Sequence, residues 1–440
     1  MAYNSLSELF KATADAIRSK TGSTDSIVAN DFPLAIAAIP TGSGGDPVVP
    51  DEDWIGDGNT HIWITLHEGR TSPMLGVCPK GTVIVDWGDG TASDILTGTS
   101  LSTVKWTPTH NYAAPGDYVI TLTVDGEMGL GGLNSSNQYS YILRHSSSAT
   151  SINVVYQNAV NKVELGAGIK SIGNYAFYGC YSLASINIPD SVTSIGHYVF
   201  QNCYALAFIN IPDSVTSIGT NTFIACRSLA SINISKGITN IGNTMFNTCC
   251  SLASVNIPDG VESIDSNVFQ NCFSLSSINI PDSVTSIGRA TFHSCYALTS
   301  INIPDNVTDI GDSAFNSCYS LTSINIPDGI TSIGSNMFYG CHSLASINIP
   351  DSVTSIGNGV FNNCYSLASI SIPDSVTSIG DSAFNNCYGV RFYDFSNHAV
   401  VPTLSNTNAF TNIPADCEIR VPAALYDEWI AAENWATYAS

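Results

Sequence analysis

Apolar residues recur in this chain with a period of 23. Phenylalanine stands at Phe177, Phe200, Phe223, Phe246, Phe269, Phe292, Phe315, Phe338, Phe361 and Phe384. Three residues after each comes a cysteine: Cys180, Cys203, Cys226, Cys249, Cys272, Cys295, Cys318, Cys341, Cys364 and Cys387. One unit, residues 181–203, shows what the period predicts. Leu183, Ile186 and Ile188 predict a short strand with its apolar side inward and Ser185 and Asn187 outward. Pro189-Asp190 turns the chain, because proline has no donor with which to continue a ladder. Val192 and Ile195 begin a second inward segment, Gly196 allows a bend, and Val199, Phe200 and Cys203 fit one short helical turn. A single unit cannot bury its apolar side, but stacked units share a column of Ile, Leu, Val, Phe and Cys. At about 4.8 Å per strand, ten units make a rod or arc of roughly 50 Å. The expected fold is mainly β, a leucine-rich-type solenoid over 147–390. Two breaks, Asp265 at the bend glycine and Ser235-Lys236 in place of Pro-Asp, are expected to be local irregularities.

Other patterns flank the repeats. Within 1–39, Leu6, Leu9, Phe10, Ala14 and Ile17 share one helical stripe, Lys20–Ser23 ends that helix, and Asp31-Phe32-Pro33 starts a second. Residues 40–53, rich in Gly, Ser and Pro, read as a linker. Alternating strands at 61–66, 82–86 and 118–124 predict a β-sandwich over 54–146. After 390 the period stops. Phe410, Ile413, Cys417, Ile419 and Val421 suggest a last strand, and Leu425, Trp429, Ala432 and Trp435 an amphipathic helix, so 391–440 is expected to cap the open end of the stack.

Charge narrows the partners. The formal net charge is −22 and only 11% of residues are charged. No Lys/Arg stripe exists to meet phosphate, which argues against nucleic acid and against an anionic membrane surface. No apolar run of 18 residues predicts a membrane span, and the N-terminus lacks the basic-then-apolar order of a secretory signal. The chain is therefore expected not to insert into a membrane and to be made in a cytoplasm.

The cysteine ladder is read as buried free thiols. All ten occupy one inward position, so their Cβ vectors run parallel and do not oppose as a disulfide needs. Ligands in a single row do not converge on a metal either, so no metal and no cofactor is expected. Cys250, next to Cys249, is expected to be exposed. Asp51, Asp53, Asp57, Asp86 and Asp89 lack the spacing of a calcium loop and read as turn residues. The eight histidines are scattered among different repeat positions, and no nucleophile, metal-protease or phosphate-loop motif occurs. Asp282, Asp305 and Asp328 share one turn position, whereas glycoside hydrolysis needs two carboxylates facing across a substrate. No catalytic residue is nominated, and the chain is expected not to be an enzyme.

Two outward rows are candidate binding surfaces. The residue after each ladder cysteine is mostly aromatic: Tyr181, Tyr204, Phe273, Tyr296, Tyr319, His342, Tyr365 and Tyr388, with Arg227 and Cys250 interrupting. Such rings offer flat apolar faces and hydroxyls for a sugar or a protein, or they pack only against the neighbouring turn. The second row is Asn187, Asn210, Asn233, Asn256, Asn279, Asn302, Asn325 and Asn348, which binds a ligand or hydrogen-bonds along the strand face.

Three resemblances rest on these residues. The in-phase Leu-x-x-Ile-x-Ile-Pro, Ser-Ile-Gly, Phe and Cys over about 151–390 resemble the BspA-type leucine-rich repeat family, and the C-terminal segment resembles its end cap. The resemblance implies a solenoid used for adhesion to cells, matrix or glycans. Asp86-Trp87-Gly88-Asp89-Gly90-Thr91 together with His110–Tyr118 look like a PKD-type immunoglobulin-like sandwich, which implies spacing or weak glycan contact. The Ala14–Gly22 run and Asp31–Ile36 look like a module at the start of phage tail and virion proteins, which implies attachment to a particle. Taken together they lead to an expected phage virion protein, of tail or head fibre, for host attachment or display. Its partners would be a bacterial cell-surface glycan or protein, other virion proteins through 1–39, and further copies of itself. The alternative is a bacterial cell-surface adhesin of the BspA type.

Overall fold

The structure, a computed structural model, describes residues 57–68, 70–131, 141–144 and 156–438. The chain divides into two compact units, Met1–Asp46 and Pro47–Ser440, and the described residues all belong to the second. The expected helical module at 1–39 and the linker at 40–53 lie outside the described residues.

The described chain is mainly β. Six strands come first: β1 (Thr60–Leu66), β2 (Met74–Asp86), β3 (Asp94–Thr99), β4 (Lys105–Trp106), β5 (Gly116–Leu130) and β6 (Leu143–Arg144). β5 lies antiparallel between β1 and β2, and β3 pairs with the far edge of β2. The first residues of β2 turn instead to β4 and β6. β2 and β5 are longer than their alternation predicts, and Gly81 of one faces Gly126 of the other across the ladder. Both glycines have positive φ, and a Cβ on Gly81 would lie 2.2 Å from the Asp125 carbonyl, so no other residue fits.

This small domain is continuous with the repeats. β7 (Val160–Glu164) pairs antiparallel with β1, and β8 (Ile169–Ile172) pairs parallel with the last residues of β5. Lys162 lies over the Trp63 ring at 4.5 Å, and the Ile142 N–H donates to the Ala176 carbonyl at 3.0 Å. One hydrophobic cluster runs from Ile62 through Phe177 to Trp435. The boundary placed at 146/147 from sequence thus falls between two pieces of a single sheet. Physically, β1 and β5 occupy the place of a preceding repeat and cover the otherwise bare edge of the first turn.

Most repeats then add two short strands in register with the turn before, the repeat at 342–364 adding only Ser355–Ile356. Phe208–Asn210 pairs parallel with Ser231–Asn233, and Ser194–Ile195 with Ser217–Ile218. The third side differs from the expected helical turn. Tyr198 and Asn202 adopt left-handed φ of 59° and 63°, and the same two positions are left-handed in the later repeats. Alternate N–H groups, those of Tyr198, Phe200 and Asn202, donate to the next turn at Thr220, Thr222 and Ile224. The intervening residues close tight turns within the repeat, as Cys203 N–H does on the Phe200 carbonyl at 3.1 Å. A helical turn would spend those donors internally. Here they stitch turn to turn.

Gly196 is also explained differently. Its φ is not positive, but a Cβ there would come within 2.6 Å of the Asn174 backbone nitrogen. Close approach of stacked backbones, and not a bend, requires glycine.

The ten phenylalanines form one buried column. Phe177 and Phe200 stack 5.6 Å apart, Phe200 and Phe223 5.4 Å, and Phe361 and Phe384 5.4 Å. Phe410 continues the column at 5.1 Å from Phe384. Above it the C-terminal cap closes the stack. Its helix, Tyr426–Ala431, is shorter than predicted, and Trp435 sits in a separate 3-10 turn, Trp435–Tyr438. Trp429 and Trp435 are nonetheless both buried, and the Trp435 indole donates to the Pro402 carbonyl at 2.7 Å.

Candidate binding surfaces of the repeats

The outer aromatic row exists, and its geometry limits what it offers. Phe273, Tyr296, Tyr319, His342, Tyr365 and Tyr388 form an unbroken stack with centroids 4.8, 4.7, 4.6, 4.5 and 5.5 Å apart. Tyr181 and Tyr204 stack separately at 4.9 Å, and the Arg227 guanidinium lies 4.7 Å over Tyr204. Inside the stack each ring face covers its neighbour's. The row therefore presents ring edges and hydroxyls to solvent, not the flat faces that a sugar ring would lie on. Cys250 does not bridge the two stacks, since its thiol turns back to the Thr248 carbonyl at 3.4 Å.

The asparagine row is exposed, with Asn187, Asn210, Asn233, Asn256 and Asn279 on the first strand of their repeats and Asn302, Asn325 and Asn348 at the matching positions outside strands. Part of its hydrogen bonding goes into the stack. Asn187 accepts from the Leu165 N–H at 2.7 Å, and Asn325 accepts from the Ile303 N–H at 2.9 Å while donating to its carbonyl at 2.7 Å. Asn233 donates to the Asn210 amide oxygen at 3.1 Å. Asn256, Asn279, Asn302 and Asn348 occupy the same outward position.

Sequence reasoning passed over a groove beside this row. It has a volume of about 880 Å³ and is lined by Asn210, Asn233, Asn256, Asp213, Lys236 and Asp259, among others. It lies at the break where Ser235-Lys236 replaces Pro-Asp. Lys236 is the one lysine after residue 170. Its ammonium stands 3.8 Å from Asp213 and is largely exposed, at 84%. The backbone holds its course there because the Ser235 hydroxyl donates to the Val215 carbonyl at 2.6 Å, as Ser214 donates to Val192 one repeat earlier at 2.7 Å. The signal was in the sequence, as a lysine in a row of aspartates, but its reading as an irregularity hid it.

The small domain has one dense polar cluster. Trp87 is buried, stacks on His110 at 4.5 Å and donates to Asp94 at 2.9 Å. His110 pairs with Asp89 at 2.8 Å, and the Tyr112 hydroxyl donates to the Trp87 carbonyl at 2.9 Å. Burial raises the Asp89 carboxyl, but bonds from Thr91 and the pairing with His110 outweigh it and hold the group below the usual carboxylate range. Among the described residues no group of three or more His, Cys, Asp or Glu is placed to hold a metal ion, and no helix is long and apolar enough to cross a membrane.

The BspA type leucine-rich repeat region matches residues 150–275 and 262–391, in six copies, which together span more than half of the chain. The chain belongs to the BspA-type leucine-rich repeat family. It is similar to a leucine-rich repeat protein of Bacteroides ovatus, with 25% identity over 61% of this chain and 86% of that one and a TM-score of 0.47. It is also similar to a leucine-rich cell surface protein of Faecalibacterium prausnitzii, with 29% identity over 56% of this chain and 82% of that one and a TM-score of 0.38. No curated protein matches it.

In this BspA-type stack the cysteines are more than small apolar filling. All ten ladder thiols are buried and unpaired, and from Cys203 onward each donates to the carbonyl of the Phe 26 residues before it, as Cys203 does to Phe177 at 3.2 Å and Cys387 to Phe361 at 3.1 Å. Burial raises their pKa, to about 12 for Cys341 and Cys387. Cys250, expected to be exposed, is half-buried. The turn aspartates Asp282, Asp305 and Asp328 remain one exposed row on one edge.

Proposed function

We propose that this BspA-type protein is an attachment protein that binds a cell-surface glycan or protein through its repeat faces, without catalysis. The observation that carries the reading is the unbroken stack of six rings from Phe273 to Tyr388, five of them exposed and His342 half-buried, on one ladder. Edges and hydroxyls repeated at one spacing give many weak contacts that act together. We read residues 54–146 as a PKD-type sandwich, a reading supported by the packing of Trp87, Asp89, His110 and Tyr112 into one cluster. Because β1 and β5 are bonded to the first repeat, this domain holds the solenoid and does not act as a loose spacer.

In its finer form the reading is a phage virion protein, with residues 1–39 docking it to the particle. A bacterial cell-surface adhesin is the alternative, favoured by the family itself. Two experiments test these in turn. The labelled full chain is expected to bind a panel of intact bacteria saturably, and to bind less when Tyr296, Tyr319 and Tyr365 become Ala. Absence of binding by the unmodified chain overturns attachment. Peptides of the chain in purified phage particles are expected by mass spectrometry. Their confinement to the host cell envelope would overturn the virion form and leave the adhesin.

A further inference from the structure

A perfectly regular ladder gives a ligand many equivalent registers, so a unique position requires an irregular turn. Two irregular features stand near each other on one face, at Phe208 and at Lys236. On the first strand of the repeats, Ser185, Ser231, Ser254 and Ser277 share a position that Phe208 also occupies. Phe208 is 50% exposed, and among the described residues no ring or cation lies over it. The other phenylalanine of that row, Phe392, is covered by the Arg420 guanidinium at 3.8 Å. Asn210 follows Phe208 by two residues and so lies on the same side of the strand. It leads into the groove that holds Lys236.

We propose that Phe208, the Asn210–Asn233 amide pair and the Asp213–Lys236 pair form a binding site for an uncharged oligosaccharide of two or three sugar rings. Phe208 supplies what the outer aromatic row lacks, an open ring face on which the C–H face of a pyranose can lie. The bond from Asn233 to the Asn210 oxygen leaves one amide nitrogen and one amide oxygen of the pair for ligand hydroxyls. Asp213 and Lys236 place an acceptor and a donor 3.8 Å apart, which suits the two hydroxyls of a vicinal diol. From Phe208 to Asn210 the strand advances about 7 Å at ~3.3 Å per residue, and the groove continues beyond it past the Pro212 turn to Asp213, so the ligand is an oligomer and not a single sugar. Charge sets its class. The molecule carries −22, and Asp190, Asp213 and Asp259 surround Lys236, so an acidic glycan is repelled. Against a cationic one stands the Lys236 ammonium, 3.8 Å from Asp213 on the same groove.

This inference deepens the attachment reading and rests on it only for its biological use. The test takes the full chain over a panel of neutral, carboxylated and amino oligosaccharides, with Phe208→Ser and Lys236→Asp as variants. Each variant installs the residue that neighbouring repeats carry at that position, so the fold is kept, and an unchanged thermal melt verifies it. Saturable binding of a neutral oligomer, weakened at least about tenfold by either variant, is the expected result. No neutral binding, binding indifferent to both variants, or a preference for charged oligomers overturns the site. Cell binding that survives both variants but falls with the Tyr296, Tyr319 and Tyr365 changes keeps the attachment reading and rejects this site. Neutral binding without cell binding does the reverse.

Discussion

Two aromatic columns run the length of the repeats, one inside and one outside. Both step every 23 residues and both stack at close to the strand spacing. The inner column is phenylalanine at every step from Phe177 to Phe384. The outer one admits Tyr, Phe and His, and at two steps Arg227 and Cys250. Stacking therefore follows from the backbone repeat alone and does not require a fixed residue. Identity is fixed only where a change opens a cavity. Inside, each ring is enclosed by its neighbours and by Val, Ile and Cys from adjoining sides. Outside, solvent takes the place of whatever is lost.

Breaking the ends should matter most. A chain beginning at Tyr156 loses β1 and β5 and bares β7 and β8, so it is expected to associate and to lose its cooperative melt in circular dichroism. A soluble monomer with an unchanged melt would show that the first repeat needs no cover. Alkali comes next. The ladder thiols ionise only when unfolded, because burial raises their folded pKa above the ordinary value of 9.0. A raised folded pKa gives stability that is whole below the unfolded value and is lost as pH rises through the window above it. At pH 10 the loss is about 1 kcal/mol per thiol, on the order of 10 kcal/mol for the ladder. Urea midpoints at pH 7 and pH 10 under reducing conditions measure it. An unchanged midpoint would mean that the thiols are accessible in the fold.

Single substitutions then sharpen the contrast. Phe292→Ala in the inner column should cost about 3–5 kcal/mol in urea unfolding. Tyr319→Ala in the outer row, whose ring is stacked but 38% exposed, should cost no more than about 1 kcal/mol. Equal costs would erase the distinction between the columns.

The period made the solenoid legible, since Phe177 to Phe384 and Cys180 to Cys387 name the inner column outright. The third side was not legible in the same way. Its left-handed bends fall on Tyr198, Asn202, Ala225 and Thr248, where no glycine marks them. The first half of β2 was hidden by Gly76 and Pro79, which interrupt its alternation. The joining of β1 to β7 depends on pairing between segments nearly a hundred residues apart, which no local pattern records. For the candidate sites, the sequence identified the members of the outer row but not that their faces would be covered. The groove at Lys236 was visible only as an interruption, because a repeat is recognised by what stays the same.

The bonding of β1 on both sides, to β5 and to β7, also has a mechanical meaning. If the chain is anchored through its N-terminal part and holds a cell through its repeats, as we propose, it is pulled along its length. That pull enters at Thr60, at the beginning of a strand flanked by two antiparallel ladders. Force along β1 loads the bonds of both ladders together in shear, so they do not open one after another. Under that proposal the strand that covers the first repeat is also the point through which tension would pass into the whole stack.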